Sequence, residues 1–530
     1  MRQQVCRGSR RSAEEKLMNI KRAKKEIRNT VRAYLKKDEF GQYVIPSVNQ
    51  RPILLIGPPG IGKTAIMEQV ARECGIGLVA YTITHHTRQS AVGLPFIEHK
   101  DYQGKEYAVT EYTMSEIIAS VYDRIEQTGI KEGILFLDEI NCVSETLAPT
   151  MLQFLQKKTF GNQRVPEGWL IVTAGNPPEY NKSVRDFDVV TLDRVKKIDV
   201  TEDYDAWRSY AIERGIHSSI LSYLEIRKEN FYDIETTLDG RRFVTARGWE
   251  DLSRILWTYE DLAIPVDEEL IIQYLQHGRI AKDFAAYYDL FNKYRNDYRI
   301  NDILEGRISE KALEKLWNAP FDERISVISL VLGKLNEMFR EVAEQDSYIS
   351  ELYESMTQLR DQLDQLDRAG ENPDVQAAVD YLEKLAGERA GKLDQMKAAG
   401  LLSPEDEHIQ RRAINALEQD EQLLMTSDCG SGQEAYTMLK SGFRRETAEL
   451  DERTRQVSEA LEYAFDFVEK AFGEDQEMVV FVTELSMSQP AVRFIKDNDC
   501  PRYYYYNRSL FAGDRQRGIM DQIRQLDQET

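Results

Sequence analysis

Gly57-Pro58-Pro59-Gly60-Ile61-Gly62-Lys63-Thr64 is a glycine-punctuated loop that ends in an ammonium and a hydroxyl. That spacing suits one chemistry, the holding of phosphates. The glycines let successive backbone N–H groups turn inward on a β-phosphate, and the helix expected from Thr64 to Cys74 adds its positive end. Lys63 would bridge the β- and γ-phosphates, and Thr64 would ligate Mg²⁺. Further along, Gly133-Ile-Leu-Phe-Leu-Asp138-Glu139 is an apolar run ending in two carboxylates. A buried strand adjacent to the loop's own strand would deliver both beside the phosphates. Asp138 then belongs to the Mg²⁺ shell, and Glu139 orients and polarises the attacking water. A third run, Trp169-Leu-Ile-Val-Thr-Ala-Gly-Asn176-Pro-Pro, ends in an amide able to bond both γ-phosphate and water. Taken alone, Asn176 is better explained as part of an Asn-Pro turn; its place third in this order argues for function.

These groups need a scaffold. Pro52–Ile56, Leu78–Thr82, Gly133–Leu137 and Trp169–Thr173 are near-continuous apolar runs, as expected for strands covered on both faces of a parallel sheet. They alternate with helical patterns from Arg51 to about Leu256, so the predicted class is α/β. The chain divides by pattern into a basic tail and helix (1–39), an α/β nucleotide-binding core (40–205), a helical lid and extension (206–340), an acidic coiled-coil arm (341–473) and a small C-terminal α/β cap (474–530). In the tail, Ile20, Ile27, Val31 and Leu35 lie at helical spacing. Its basic face is expected in solvent or against an acidic neighbouring subunit, ahead of a nucleic acid. In the arm, Ile349, Leu352, Met356, Leu359, Leu363 and Leu366 form an a/d seam, with turns at Gly370–Pro373, Gly400–Pro404 and Cys429–Gly432. In the cap, Met478–Leu485 reads as a strand, Ser488–Asp497 as a helix, and Tyr503–Tyr506 as packed aromatics.

Charge excludes several functions. The 530 residues carry a net charge of −21, from 69 basic and 90 acidic side chains. Met1–Lys37 holds 13 basic and 3 acidic residues, whereas Glu341–Lys470 holds 14 and 30. Such a surface repels a phosphate backbone over most of its extent, which argues against a dedicated nucleic-acid protein. No apolar run is long enough to span a membrane. No apolar h-region follows the basic start, which argues against a signal peptide, and both Met1 and Met18 stand as initiation points. Five scattered cysteines without a CxxC pair exclude a disulfide framework and suit a reducing cytoplasm. His85 and His86 diverge on any regular element and chelate poorly.

The three motifs in this order resemble the AAA+ ATPases, and further details resemble the MoxR-like branch. Leu137-Asp-Glu-Ile-Asn141 stands where that family has its strand end, followed by a helix and basic hairpin over Ala148–Gly161. Asn176-Pro177 matches the family's sensor strand, Leu192-Asp193-Arg194-Val195 its L-D-R-F, and Thr245-Ala246-Arg247 its S/T-x-R. The resemblance covers residues 40–260. It implies that Arg194 is an arginine finger acting on a neighbouring subunit, worth about 10³–10⁵ in rate in related NTPases. It implies that Arg247 contacts nucleotide in cis. Val195 departs from the usual Phe, and Arg185, Arg241, Arg242 and Arg254 lie near enough to compete. Gly93-Leu94-Pro95 and Phe96 fall where such proteins place channel-facing loops.

The expected activity is Mg²⁺-dependent ATP hydrolysis by a ring, by resemblance a hexamer, that remodels a partner, with a von Willebrand factor A domain protein as the implied companion. A guanine signature N/T-K-x-D is absent from any suitable place, which favours ATP. Two rival readings remain at the sequence level: a nucleic-acid motor or restriction-type translocase using Met1–Lys37, and a nucleotide-switched scaffold using the arm.

Overall fold

The computed structural model describes residues 17–508 apart from 86, 161–162, 181–183, 185–186 and 238–239. Six strands, β1 (Met18–Asn19), β2 (Ile53–Ile56), β3 (Gly77–Thr82), β4 (Gly133–Asp138), β5 (Trp169–Gly175) and β6 (Lys196–Thr201), form one parallel sheet in the order β1-β6-β2-β5-β4-β3. β5 is buried along its whole length and β4 is buried up to Asp138. Each fully buried Leu, Ile or Val there contributes about 1.5–3 kcal/mol, which is why the apolar runs fix these strands.

Two features differ from the sequence expectation. β4 is not adjacent to β2, because β5 lies between them. β6 was absent from the predicted strands; Lys197 and Asp199 break its apolar run, and only Ile198 and Val200 face the core.

The tail helix runs Ile20–Tyr34, with Asn19 capping it by accepting from Arg22 N–H at 3.0 Å. Ala23, Ile27 and Val31 are fully buried and face the helix Lys63–Cys74. Leu35 falls outside the helix as its C-cap. Lys24 and Arg28 pair with Glu73 at 2.7 and 2.9 Å, and Lys196 pairs with Glu26 at 2.6 Å. Part of the basic face is therefore docked on its own core rather than on a neighbour.

Between β3 and β4 the chain forms a 3₁₀ turn (Ile83–His85), a short helix (Arg88–Val92), an antiparallel hairpin (Pro95–Tyr102 with Lys105–Tyr112) and the helix Glu116–Thr128. The hairpin turns on Gln103 and Gly104, both at positive φ, the backbone that two-residue hairpins favour.

The chain divides into two compact units, one holding residues up to Ala206 with Glu388–Glu407, the other Trp207–Gly387 with His408 onward. In the second, a hairpin (Asp233–Thr237 with Gly240–Val244) accompanies the helices Ser218–Ile226, Ala246–Asp261, Glu268–Leu275 and Gly278–Tyr298. The helix Phe321–Ala369 is 49 residues long and packs along Gly432–Phe472 through Leu335, Phe339, Leu461 and Phe465. Its seam continues through Met356, Leu359 and Leu363, buried with Leu382, Leu417 and Leu439. Helices Val375–Ala398 and Pro404–Met425 follow the breaks at Gly370 and Gly400, both at positive φ.

The expected C-terminal α/β cap is helical instead. Met478–Leu485 lies inside the helix Gln476–Met487, and no strand follows Val244 among the described residues. The reason is periodicity. Met478, Phe481, Val482 and Leu485 are the buried set, at i, i+3, i+4 and i+7, while Val479 is 38% exposed. Tyr503 and Tyr506 sit on a further helical stretch over 501–508, where Tyr506 stacks on Phe465 and donates to Glu469 at 3.0 Å.

Candidate active site

The site lies at the carboxyl ends of β2, β5 and β4. The connection leaving β2 runs to β3 on one side, and the one leaving β5 runs to β6 on the other. The two connections pass each other's strands in opposite directions, so right-handed crossovers put them on opposite faces of the sheet, and at such a reversal the strand ends open a crevice where α/β proteins bind ligands. Register carries the chain ends together, since Ile56 pairs with Gly175 and Leu137 with Thr173.

The loop Gly57–Gly62 follows β2. A Cβ at Gly57 would meet Val200 O at 2.7 Å, so only glycine lets the loop leave the sheet so closely. Gly62 caps the next helix at φ +90°. Lys63, 8% exposed, donates to Gly57 O and Pro58 O at 2.7 Å each and to Asn176 Oδ1 at 2.9 Å. One ammonium therefore links the phosphate loop to the end of β5. Thr64 Oγ1 donates to Asp138 Oδ2 at 3.2 Å, linking the same helix to β4. A hydroxyl and a carboxylate at that separation are hard oxygen donors that fit a Mg²⁺ shell completed by water and phosphate.

Glu139 stands at φ +57°, a left-handed backbone that a non-glycine residue rarely adopts. Its N–H donates to Asp138 Oδ1 at 2.9 Å, and its carboxylate accepts from Thr84 Oγ1 at 2.9 Å. The turn continues with Ile140 N–H on Ala174 O at 2.9 Å and Asn141 Nδ2 on Asn176 O at 2.8 Å. A Cβ at Gly175 would lie 2.5 Å from Asn141 Oδ1, so the amide packs against bare backbone.

The structure thus brings Lys63, Thr64, Asp138, Glu139 and Asn176 together, with Gly57, Pro58, Pro59, Gly60, Ile61 and Gly62 as the loop. Arg194, in the same unit, is exposed just after the helix Val189–Leu192. Asp188 caps that helix; its bonds from Thr191, helped by the Arg194 charge, hold its carboxyl below the ordinary range. Val195, in place of the expected Phe, is buried in the core beneath. Arg247 is exposed in the first turn of Ala246–Asp261, in the second unit. Of the competing arginines, Arg254 pairs with Asp251 at 2.7 Å and with Glu250, Arg241 and Arg242 are exposed on the hairpin, and Arg185 lies outside the described residues, as does His86.

Sequence reasoning assigned no role to Thr84 or Asn141. Thr84 follows β3, whose Thr82 pairs with Asp138; only that non-local pairing sets it beside Glu139.

Residues 53–191 match the family described as "ATPase family associated with various cellular activities (AAA)". The chain carries an AAA-family ATPase domain. The AAA match spans about a quarter of the chain and holds Lys63, Thr64, Asp138, Glu139 and Asn176, while Arg194 and Arg247 lie beyond it. Over 320 residues the chain is 23% identical to Midasin of Giardia intestinalis, a stretch covering 55% of this chain and 6% of that protein. The chain therefore spans a small fraction of the relative's length. Among the described residues no helix is long and apolar enough to cross a membrane.

Proposed function

We propose that this chain is a Mg²⁺-dependent ATPase of MoxR-like type that assembles into a ring and uses turnover to remodel a protein partner. The observation carrying the reading is the convergence of Lys63, Asn176, Thr64, Asp138 and Glu139 at three neighbouring strand ends of an AAA-family domain. The loop N–H groups and Lys63 would hold the β- and γ-phosphates, exchanging the ammonium's carbonyl contacts for phosphate oxygens. Bound Mg²⁺ supplies charge neutralisation of those oxygens. Thr64 and Asp138 would hold it, Glu139 would take up and polarise the lytic water, and Asn176 would orient that water and the γ-phosphate.

In this reading residues 40–205 form the nucleotide core and 206–340 the lid and its extension. Exposed Arg194 reaches the γ-phosphate of a neighbouring protomer, and Arg247 senses nucleotide from the lid of its own. A finger in trans requires a closed ring, for which a hexamer is the expected count. Gly93–Phe96, at the root of the exposed hairpin, would face the channel. A companion with a von Willebrand factor A domain is the expected partner, and the cytoplasm the expected place.

The test is turnover. Glu139→Gln should bind ATP and hydrolyse it at least roughly tenfold slower. A Glu139→Gln protein that hydrolyses at the unaltered rate would refute the assignment.

A further inference from the structure

Away from the nucleotide site, one group of polar side chains in the second unit converges within ion-pair distance and leaves a buried imidazole nitrogen without a hydrogen bond among the described residues. Asp233 and Glu235 stand two residues apart on the strand Asp233–Thr237, hence on one face of the hairpin. His277 caps the helix Gly278–Tyr298, and a backbone bond from Phe243 N–H to Gln276 O at 3.2 Å fastens the hairpin's other strand beside it. His277 Nε2 lies 3.5 Å from Asp233 Oδ2 and 3.7 Å from Glu235 Oε2, and the three atoms all fall within 4.8 Å of one another. His277 is 2% exposed, and among the described residues its Nε2 has no hydrogen-bond partner.

Those separations are long for an N–H···O bond, which prefers about 2.7–3.2 Å. They suit two donors on one tetrahedral ion. With bonds of about 2.0–2.1 Å, neighbouring ligand atoms stand roughly 3.3 Å apart. A buried imidazole nitrogen aimed between two carboxylates is the donor set of a borderline divalent cation rather than of Ca²⁺ or Mg²⁺.

We propose that Asp233, Glu235 and His277 bind a divalent metal ion of the Zn²⁺ class, with water in the fourth position. The half-exposed Glu235 marks the entry side, and Arg279, 4.0 Å from Asp233, is exposed enough to turn toward solvent. Binding takes the Nε2 lone pair, so the ring proton moves to Nδ1. The ring then gives up its long 3.4 Å contact with Ile280 N–H. The ion replaces that weak cap and ties the hairpin to the start of the helix.

Zn²⁺ titration of the metal-stripped full chain, with excess Mg²⁺ present, tests this by calorimetry. One Zn²⁺ per chain is expected, and Co²⁺ in its place should show the visible absorption of a tetrahedral ion. Asp233→Asn and His277→Asn should each weaken uptake by roughly 10–100-fold or more, since losing even an outer-shell partner does as much. Asn is among the best N-cap residues, so His277→Asn keeps the helix start while removing the ligand. Unchanged circular dichroism verifies its fold. No uptake by the unaltered chain, or uptake by either variant as tight as that of the unaltered chain, overturns the proposal.

Discussion

Thr84 Oγ1 donates to Glu139 Oε2 across 2.9 Å, so the carboxylate read as the water-polarising base is tethered by a hydroxyl just past β3. Glu139 is held at the other end by its own N–H on Asp138. In this arrangement it accepts a proton donor from the protein where catalysis needs it to accept one from water.

Thr84→Val should therefore loosen Glu139. A hydrogen bond to a charged group is worth about 1.5–3 kcal/mol when buried, and this one is exposed, so about a 3–10-fold rise in basal ATPase rate is expected. The KM for ATP should stay unchanged, because Thr84 contacts none of the phosphate-binding groups. A fall in rate at constant KM would show instead that Thr84 orients Glu139 for catalysis.

Lys63→Ala should abolish ATP binding, measured by calorimetry, because the loop loses its ammonium. Glu139→Gln should bind normally and turn over at least roughly tenfold slower, since polarising water acts in the transition state. Tight binding by the lysine variant would refute the first expectation.

Gly175 and Asn141 make a packing prediction. Gly175→Ala drives a methyl to 2.5 Å from the Asn141 amide oxygen, an overpacking that costs about 1–3 kcal/mol. It should also detach Asn141 from Asn176 O. Thermal melting of Gly175→Ala, Asn141→Gly and the double variant should show non-additivity, with the double variant close to Asn141→Gly alone. Strict additivity would mean that the turn relaxes elsewhere.

Asp420, on the helix Pro404–Met425, supplies a pH dependence. Burial, with the Glu446 charge adding to it, pushes its carboxyl up to about 6. The folded state thus binds a proton more tightly than the unfolded one. Stability from this group is present at low pH and is lost as pH rises toward and past about 6, by at most about 3 kcal/mol at roughly 1.4 kcal/mol per unit. Asp420→Asn should raise the melting temperature at pH 7 and flatten its fall between pH 4 and 7. A melting curve of that variant with the same pH slope as the unaltered chain would remove Asp420 as the cause.

Local patterns made much of the site legible and non-local pairings hid the rest. The Gly57–Thr64 spacing dictates its own loop, and the buried runs at Ile53, Gly133 and Trp169 dictate strands without knowledge of neighbours. Strand order does not follow from any run, so β5 between β2 and β4 was unforeseen, and with it the Lys63–Asn176 bond. Thr84 was hidden for the same reason. The hairpin Pro95–Tyr112 escaped because it is exposed on both faces and leaves no one-sided apolar alternation. Met478–Leu485 misled because valines at 479 and 480 filled out an apolar run whose buried members follow a helical period.

Arg194 allows a test between protomers. If it acts in trans, Arg194→Ala should bind ATP normally yet fail to hydrolyse it in the assembled ring. Mixing it with Glu139→Gln should restore part of the activity, because some interfaces join an intact Glu139 to an intact Arg194 from the neighbour. A residue acting in cis cannot give that rescue, since each protomer keeps its own defect. The measurement is ATPase rate against mixing ratio, after light scattering has shown that subunits exchange. A maximum near equal proportions is expected. A monotonic line between the two inactive proteins would reject Arg194 as the finger and turn attention to Arg185.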